Sequence, residues 1–111
     1  MSWKVIDSLD HLDQIVDLSK NKNIVLFKHS TRCSISTIAK MRLEEEWNIS
    51  KDDFEKYYLD LIRYRNISNE ISERFQVHHE SPQILVIRNG EAIYDVSHLD
   101  ISIFDIESTF I

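Results

Sequence analysis

The chain reads as an α/β fold, a central mixed sheet flanked by helices in the order β-α-β-α-β-α-β-β-α. Three observations predict it. Ile24-Val-Leu-Phe27 is a continuous apolar run, the pattern of a strand buried on both faces. Strand-like and helix-like segments alternate before it and after it, and strand–helix–strand crossovers require parallel pairing. Asn89-Gly90 then stands between two further strand-like segments and supplies the positive φ angles of a type I′ turn. The sheet therefore closes with an antiparallel hairpin.

Each element follows in turn. Trp3-Lys-Val-Ile6 reads as a short first strand. Ser8 caps a helix whose apolar stripe is Leu9, Leu12, Ile15 and Val16, and Asn21-Lys-Asn23 breaks it before the second strand. The helix after Cys33 places Ile35, Ile38, Ala39, Leu43 and Trp47 on one stripe. Tyr57-Tyr-Leu-Asp-Leu-Ile62 fits a third strand. A third helix has Asn66 as its cap and Ile67, Ile71 and Phe75 spaced by four. The hairpin strands are Gln83-Ile-Leu-Val-Ile-Arg88 and Glu91-Ala-Ile-Tyr-Asp-Val96. The last helix carries Leu99, Ile103, Ile106 and Phe110 on one side, with Ser97-His-Leu-Asp100 as its capping box. No repeat, low-complexity tract or linker interrupts the series, so residues 1–111 are expected to form a single domain.

Composition bounds the function. Hydrophobic content of 42% in 111 residues allows one domain with a real core. A net charge of −6 with no local basic patch argues against nucleic acid as a partner, and a single glycine leaves no room for a phosphate-binding loop. No apolar run approaches membrane-spanning length, so no membrane partner is expected. The opening Met1-Ser-Trp-Lys-Val-Ile6 lacks the layout of a signal peptide, and the lone cysteine cannot form an internal disulfide; a cytoplasmic protein is expected.

That cysteine, Cys33, lies between the apolar strand and the helix. A thiol at a helix's first turn faces unpaired backbone N–H groups and the positive end of the dipole, which favours the thiolate. Cys33-Ser-Ile-Ser36 is a C-x-x-S arrangement, with Ser36 where a dithiol enzyme carries its resolving cysteine. The Ser36 hydroxyl can donate to a thiolate but cannot close a disulfide, so a redox-active Cys33 needs an external thiol for resolution. Pro82 opens an apolar strand, a position that sheets tolerate, and a cis Ser81–Pro82 bond would expose the Ser81 backbone to a substrate. His78, His79, His98 and Cys33 fit no compact zinc spacing, so no metal site is expected.

A strand ending in a cysteine-bearing turn, a helix, and a later Ser-Pro leading into a hairpin resemble the thioredoxin superfamily over nearly the whole chain. Thr31-Arg-Cys-Ser-Ile-Ser36, His79-Glu-Ser-Pro-Gln83 and Val96-Ser-His98 resemble the monothiol bacilliredoxin (YtxJ-like) family. The resemblance implies a thiol-disulfide oxidoreductase in which Cys33 removes bacillithiol from S-bacillithiolated proteins. Bacillithiol would be the co-substrate, no cofactor would be tightly bound, and a flavin-dependent bacillithiol disulfide reductase would act downstream. It also implies Cys33 and Ser36 as the catalytic pair, and Thr31, Arg32, Ser34, Ser81, Pro82, Ser97 and His98 as the binding set. Arg32 is expected to meet a carboxylate of bacillithiol's malate group.

The chain departs from the pattern at three positions. Ser34 stands where the family often has proline, Phe27 where thioredoxins keep a buried carboxylate, and Arg32 where they keep a tryptophan. The last two weigh against general disulfide reductase activity. Two other functions share the C-x-x-S arrangement or the fold: a monothiol glutaredoxin-like iron–sulfur carrier, which Ser34-Ile35 would crowd, and a non-catalytic stress or adaptor protein.

Overall fold

A central strand must satisfy its backbone on both sides, and β2 (Asn23–His29) does so: every one of its residues is buried. The computed structural model describes residues 3–30, 33–47 and 54–110. Within them β1 (Lys4–Val5), β3 (Phe54–Asp60), β4 (Gln83–Arg88) and β5 (Glu91–Ser97) join β2 in one sheet of order β1-β3-β2-β4-β5. The first three strands of that order run parallel; β4 is antiparallel to β2, and β5 to β4. Helices α1 (Leu9–Leu18), α2 (Ser34–Glu46), α3 (Arg65–Phe75) and α4 (Ile103–Ser108) flank it.

Alternation along β2 divides the core. Ile24 and Leu26 face one side and pack with Leu12 and Ile15 of α1 and Ile67, Ile71 and Phe75 of α3. Val25 and Phe27 face the other and pack with Leu43 of α2 and Ile103, Ile106 and Phe110. Continued, the same alternation sends Lys28 toward the first layer and His29 toward the second. The hairpin forms as expected, with Asn89 and Gly90 both at positive φ. Its tip is tied to the end of α1: Asn89 N–H donates to the Ser19 carbonyl (2.8 Å) and Gly90 N–H to Ser19 Oγ (2.9 Å). Ser8 caps α1 by accepting from His11 N–H at 3.0 Å.

Four expectations need correction. The inward stripe of α2 is Ser36, Ala39 and Leu43, while Ile35 and Ile38 are 47% and 51% exposed. The cause is a polar anchor: Ser36 Oγ accepts from Ser30 N–H (3.1 Å) and shares a 2.6 Å hydrogen bond with His29 Nδ1, which turns that face of the helix inward. β3 ends at Asp60 rather than Ile62, because Asp60 Oδ1 takes the N–H groups of Ile62 (3.1 Å) and Arg63 (3.4 Å) and turns the chain. Tyr64, not Asn66, is the N-cap of α3. The last helix begins after Ser102, and residues 98–100 form a separate 3-10 turn without a capping bond from Ser97. The His98 N–H donates to the Pro82 carbonyl at 2.9 Å, and its φ of 58° keeps the residue out of an α-helix.

Candidate functional site

The carboxyl end of β2 delivers Cys33 to the start of α2. Cys33 is the N-cap, extended at φ −110° and ψ 122°, and partly exposed. Its N–H donates to the Ser30 carbonyl (3.2 Å), and its own carbonyl accepts from Thr37 N–H (3.0 Å) and Thr37 Oγ1 (3.1 Å). These bonds fix the backbone that carries the sulfur. Among the described residues no side chain caps α2, and its first turn holds no acidic residue. The N–H groups of that turn are thus left for whatever negative charge develops at the cap, the thiolate being the nearest.

Behind the cysteine lies a buried polar layer. Ser36 is fully buried, and its hydrogen bonds go to Ser30 and His29 rather than forward to the sulfur. It holds the turn on which Cys33 rides. His29 stacks between Phe27 (5.7 Å) and Tyr58 (5.6 Å), and burial, reinforced by Lys40, lowers its pKa below the ordinary imidazole range. It is neutral at neutral pH. On the opposite face of the strand, Lys28 is entirely buried; Nζ donates to Ser72 Oγ and His79 Nδ1, each at 3.3 Å, with no carboxylate partner among the described residues. Burial lowers its pKa to about 8.

The rim opposite Cys33 comes from the segment entering β4. Lys28 pairs with Gln83 in the ladder, so Pro82 and Ser81 come level with His29 and Ser30 one and two steps further on. The Ser81–Pro82 peptide is cis. Ser81 Oγ is buried without a hydrogen-bond partner among the described residues. Glu80 points across to His98 Nε2 (3.3 Å) and His78 Nε2 (3.7 Å). The 3-10 turn holding His98 packs against α2, completing the rim with Ser97.

Cys33, Ser34, Ser81, Pro82, Ser97 and His98 are therefore gathered at one end of the sheet, with Ser36 beneath them. Thr31 and Arg32 lie outside the described residues. The His98 ring is directed at Glu80, so an anionic ligand would compete with that carboxylate for it. Sequence reasoning missed Lys28 and His29 as members of the site; their signal was polar residues continuing the two-residue alternation of a strand paired on both sides. Among the described residues no three His, Cys, Asp or Glu side chains are placed to share a metal ion, and no helix is long and apolar enough to cross a membrane.

The sequence matches the family described as Monothiol bacilliredoxin BrxC over residues 4–106. The chain belongs to that family. A solved structure described as an oxidoreductase candidate with a thioredoxin fold is similar at 30% identity, covering 95% of this chain and 90% of that one, with a TM-score of 0.77. Thioredoxin from Malassezia sympodialis is 19% identical over 96% of this chain and 86% of its own (TM-score 0.75). Mitochondrial thioredoxin 3 from Saccharomyces cerevisiae is 12% identical over 97% and 92% (TM-score 0.68). This bacilliredoxin-family chain has the thioredoxin fold, and family and fold together point to thiol oxidoreductase chemistry.

Proposed function

We propose that the protein is a monothiol bacilliredoxin that removes bacillithiol from S-bacillithiolated proteins. The observation that carries the reading is Cys33 itself: the chain's only cysteine, partly exposed at the N-cap of α2, in a member of this family. The Cys33 thiolate attacks the bacillithiol sulfur of a mixed disulfide. The S–S bond breaks, its electron pair leaves with the target's sulfur, and that thiolate takes a proton. Cys33 now carries bacillithiol. With Ser36 in place of a second cysteine, a second bacillithiol thiolate must attack the adduct. Cys33 leaves as thiolate and bacillithiol disulfide departs, to be reduced by a flavin-dependent reductase.

The first-turn N–H groups of α2 stabilise the sulfur both as nucleophile and as leaving group. Ser36 serves this chemistry as a positioning residue, through Ser30 and His29. Arg32, Ser97 and His98 are assigned to the carboxylates of bacillithiol, and the Ser81 backbone to the target chain. No cofactor is required. The test is mass spectrometry after mixing with bacillithiol disulfide. One adduct at Cys33, cleared by excess bacillithiol and absent in Cys33→Ser, is expected; an unmodified or irreversibly modified Cys33 refutes the reading.

A further inference from the structure

A fully buried lysine with no carboxylate beside it among the described residues is a cost to the fold, and it asks for a reason. Lys28 stands on the central strand five residues before Cys33. Its ammonium meets Ser72 of α3 and His79, the residue that opens the rim segment His79-Glu80-Ser81-Pro82. Ser68 of α3 reaches the same ring nitrogen at 3.3 Å. One imidazole nitrogen thus takes hydrogen bonds from the sheet and from α3, while its chain neighbours form the wall facing Cys33. From the other end, the segment is held by His98 N–H on the Pro82 carbonyl and by Gln83 Nε2 on the His78 carbonyl (2.9 Å).

We propose that Lys28 is a positioning residue for target binding, which fixes the 78–82 wall through His79, and that protonation of His79 releases the wall. Nδ1 can accept from Lys28 and Ser68 only while it carries no proton. A protonated Nδ1 loses the bond from Lys28 and reverses the one to Ser68, donating to its Oγ, while the ring stands as a cation beside the ammonium. The charges facing it are Lys28 from β2, Arg65 from α3, and His78 and Glu80 from its own segment; Glu80 alone favours the protonated form. Burial and the Lys28 and Arg65 cations prevail, so the latch is closed at neutral pH and opens below the ordinary imidazole range.

The role in target binding rests on the bacilliredoxin reading, whereas the latch itself is observable without it. Hydrogen exchange of the His98 amide, whose N–H donates to the Pro82 carbonyl of the wall, corrected for the intrinsic pH dependence, is followed from pH 7.5 to 5 in the full chain. Wild type is expected to lose protection about tenfold on acidification, the worth of one hydrogen bond. His79→Asn keeps an acceptor that cannot titrate and is expected to hold its protection throughout. Lys28→Met is expected to be poorly protected at both ends of the range and to raise KM for a bacillithiolated protein severalfold with kcat retained.

Equal protection in all three proteins overturns the latch. A fall in Lys28→Met of kcat, or of the Cys33 alkylation rate with iodoacetamide, overturns the positioning role, because the change would then act on the thiol. If wild type shows the expected exchange profile yet never discharges a bacillithiolated protein, the proposed function fails and the latch stands.

Discussion

Replacing Lys28 with methionine removes a buried charge of nearly the same length, and the structure sets the size and sign of the result. The lysine titrates at about 8 in the folded chain and at the ordinary 10.5 when unfolded. Below pH 8 both states are charged, and burying the ammonium costs about 3 kcal/mol. Between 8 and 10.5 the unfolded chain binds the proton and the folded chain does not, so stability rises with pH. The gain from pH 7.5 to 9.5 is about 2 kcal/mol by this linkage. The other groups that the fold shifts act outside that window. His29 and His79, both lowered, have contributed their gain by pH 7.5; Tyr57, Tyr58 and Tyr94, all raised, begin to destabilise only above 10. Methionine forfeits the bonds to Ser72 and His79, at about 1 kcal/mol. Lys28→Met is therefore expected to be more stable than wild type by about 2 kcal/mol at pH 7.5, with the two curves meeting near pH 9.5. Urea unfolding at half-unit pH steps measures this directly. A flat wild-type profile, or the same rise in the variant, refutes the reasoning.

Ser36→Ala strips the partner from buried Ser30 N–H and from His29, and is expected to cost about 2 kcal/mol, lowering the thermal midpoint by roughly 10 °C in circular dichroism. Ile38→Glu, on the exposed face of α2, is expected to change stability by less than about 0.5 kcal/mol, whereas Ala39→Glu one position on buries a carboxylate and should abolish cooperative unfolding. Phe27→Ala opens a cavity between Trp3, His29 and Tyr58 and is expected to cost about 3–5 kcal/mol by urea titration.

What was legible in the residues was what local chemistry decides. The Asn89-Gly90 turn needs two positive φ angles and is supplied with residues that adopt them. The Ser8 cap, the apolar run of β2 and the four-residue spacing of Ile67, Ile71 and Phe75 each act within their own segment. The failures that bear on the site are tertiary. Hydropathy assigns Ile35 and Ile38 to the core, and nothing local announces that Ser36 will be drawn inward by Ser30 and His29. The last helix starts only after His98, whose N–H is taken by the Pro82 carbonyl just ahead of β4 and whose φ is positive. The cysteine and the proline could be singled out, but not their common neighbourhood, which the antiparallel register of β2 with β4 creates.

The placement of buried polar side chains separates the working end of the molecule from the rest. Among the described residues they are Ser19, Asn23, Lys28, His29, Ser30, Ser36, Ser68 and Gln83. Ser19 and Asn23 belong to the end of the sheet where the β4–β5 turn meets α1, and both have plain structural duties: Ser19 holds Asn89 and Gly90, and Asn23 accepts from Arg88 at 2.9 Å. The other six gather where β2 ends and β4 begins, around Cys33 and Pro82. Apolar side chains of similar volume would pack there at lower cost, as the rest of β2 shows with Ile24, Val25, Leu26 and Phe27. A fold that follows the apolar alternation for four residues and abandons it for the next two is giving up stability where its backbone must be held by directional bonds. On one face those bonds run from His29 and Ser30 to Ser36 and fix the turn of the nucleophile. On the other they run from Lys28 through His79 and fix the wall opposite it. The two faces of one strand thus hold the two segments that meet at its carboxyl end, which is why Lys28 and Ser36, though neither bonds the sulfur, belong with Cys33.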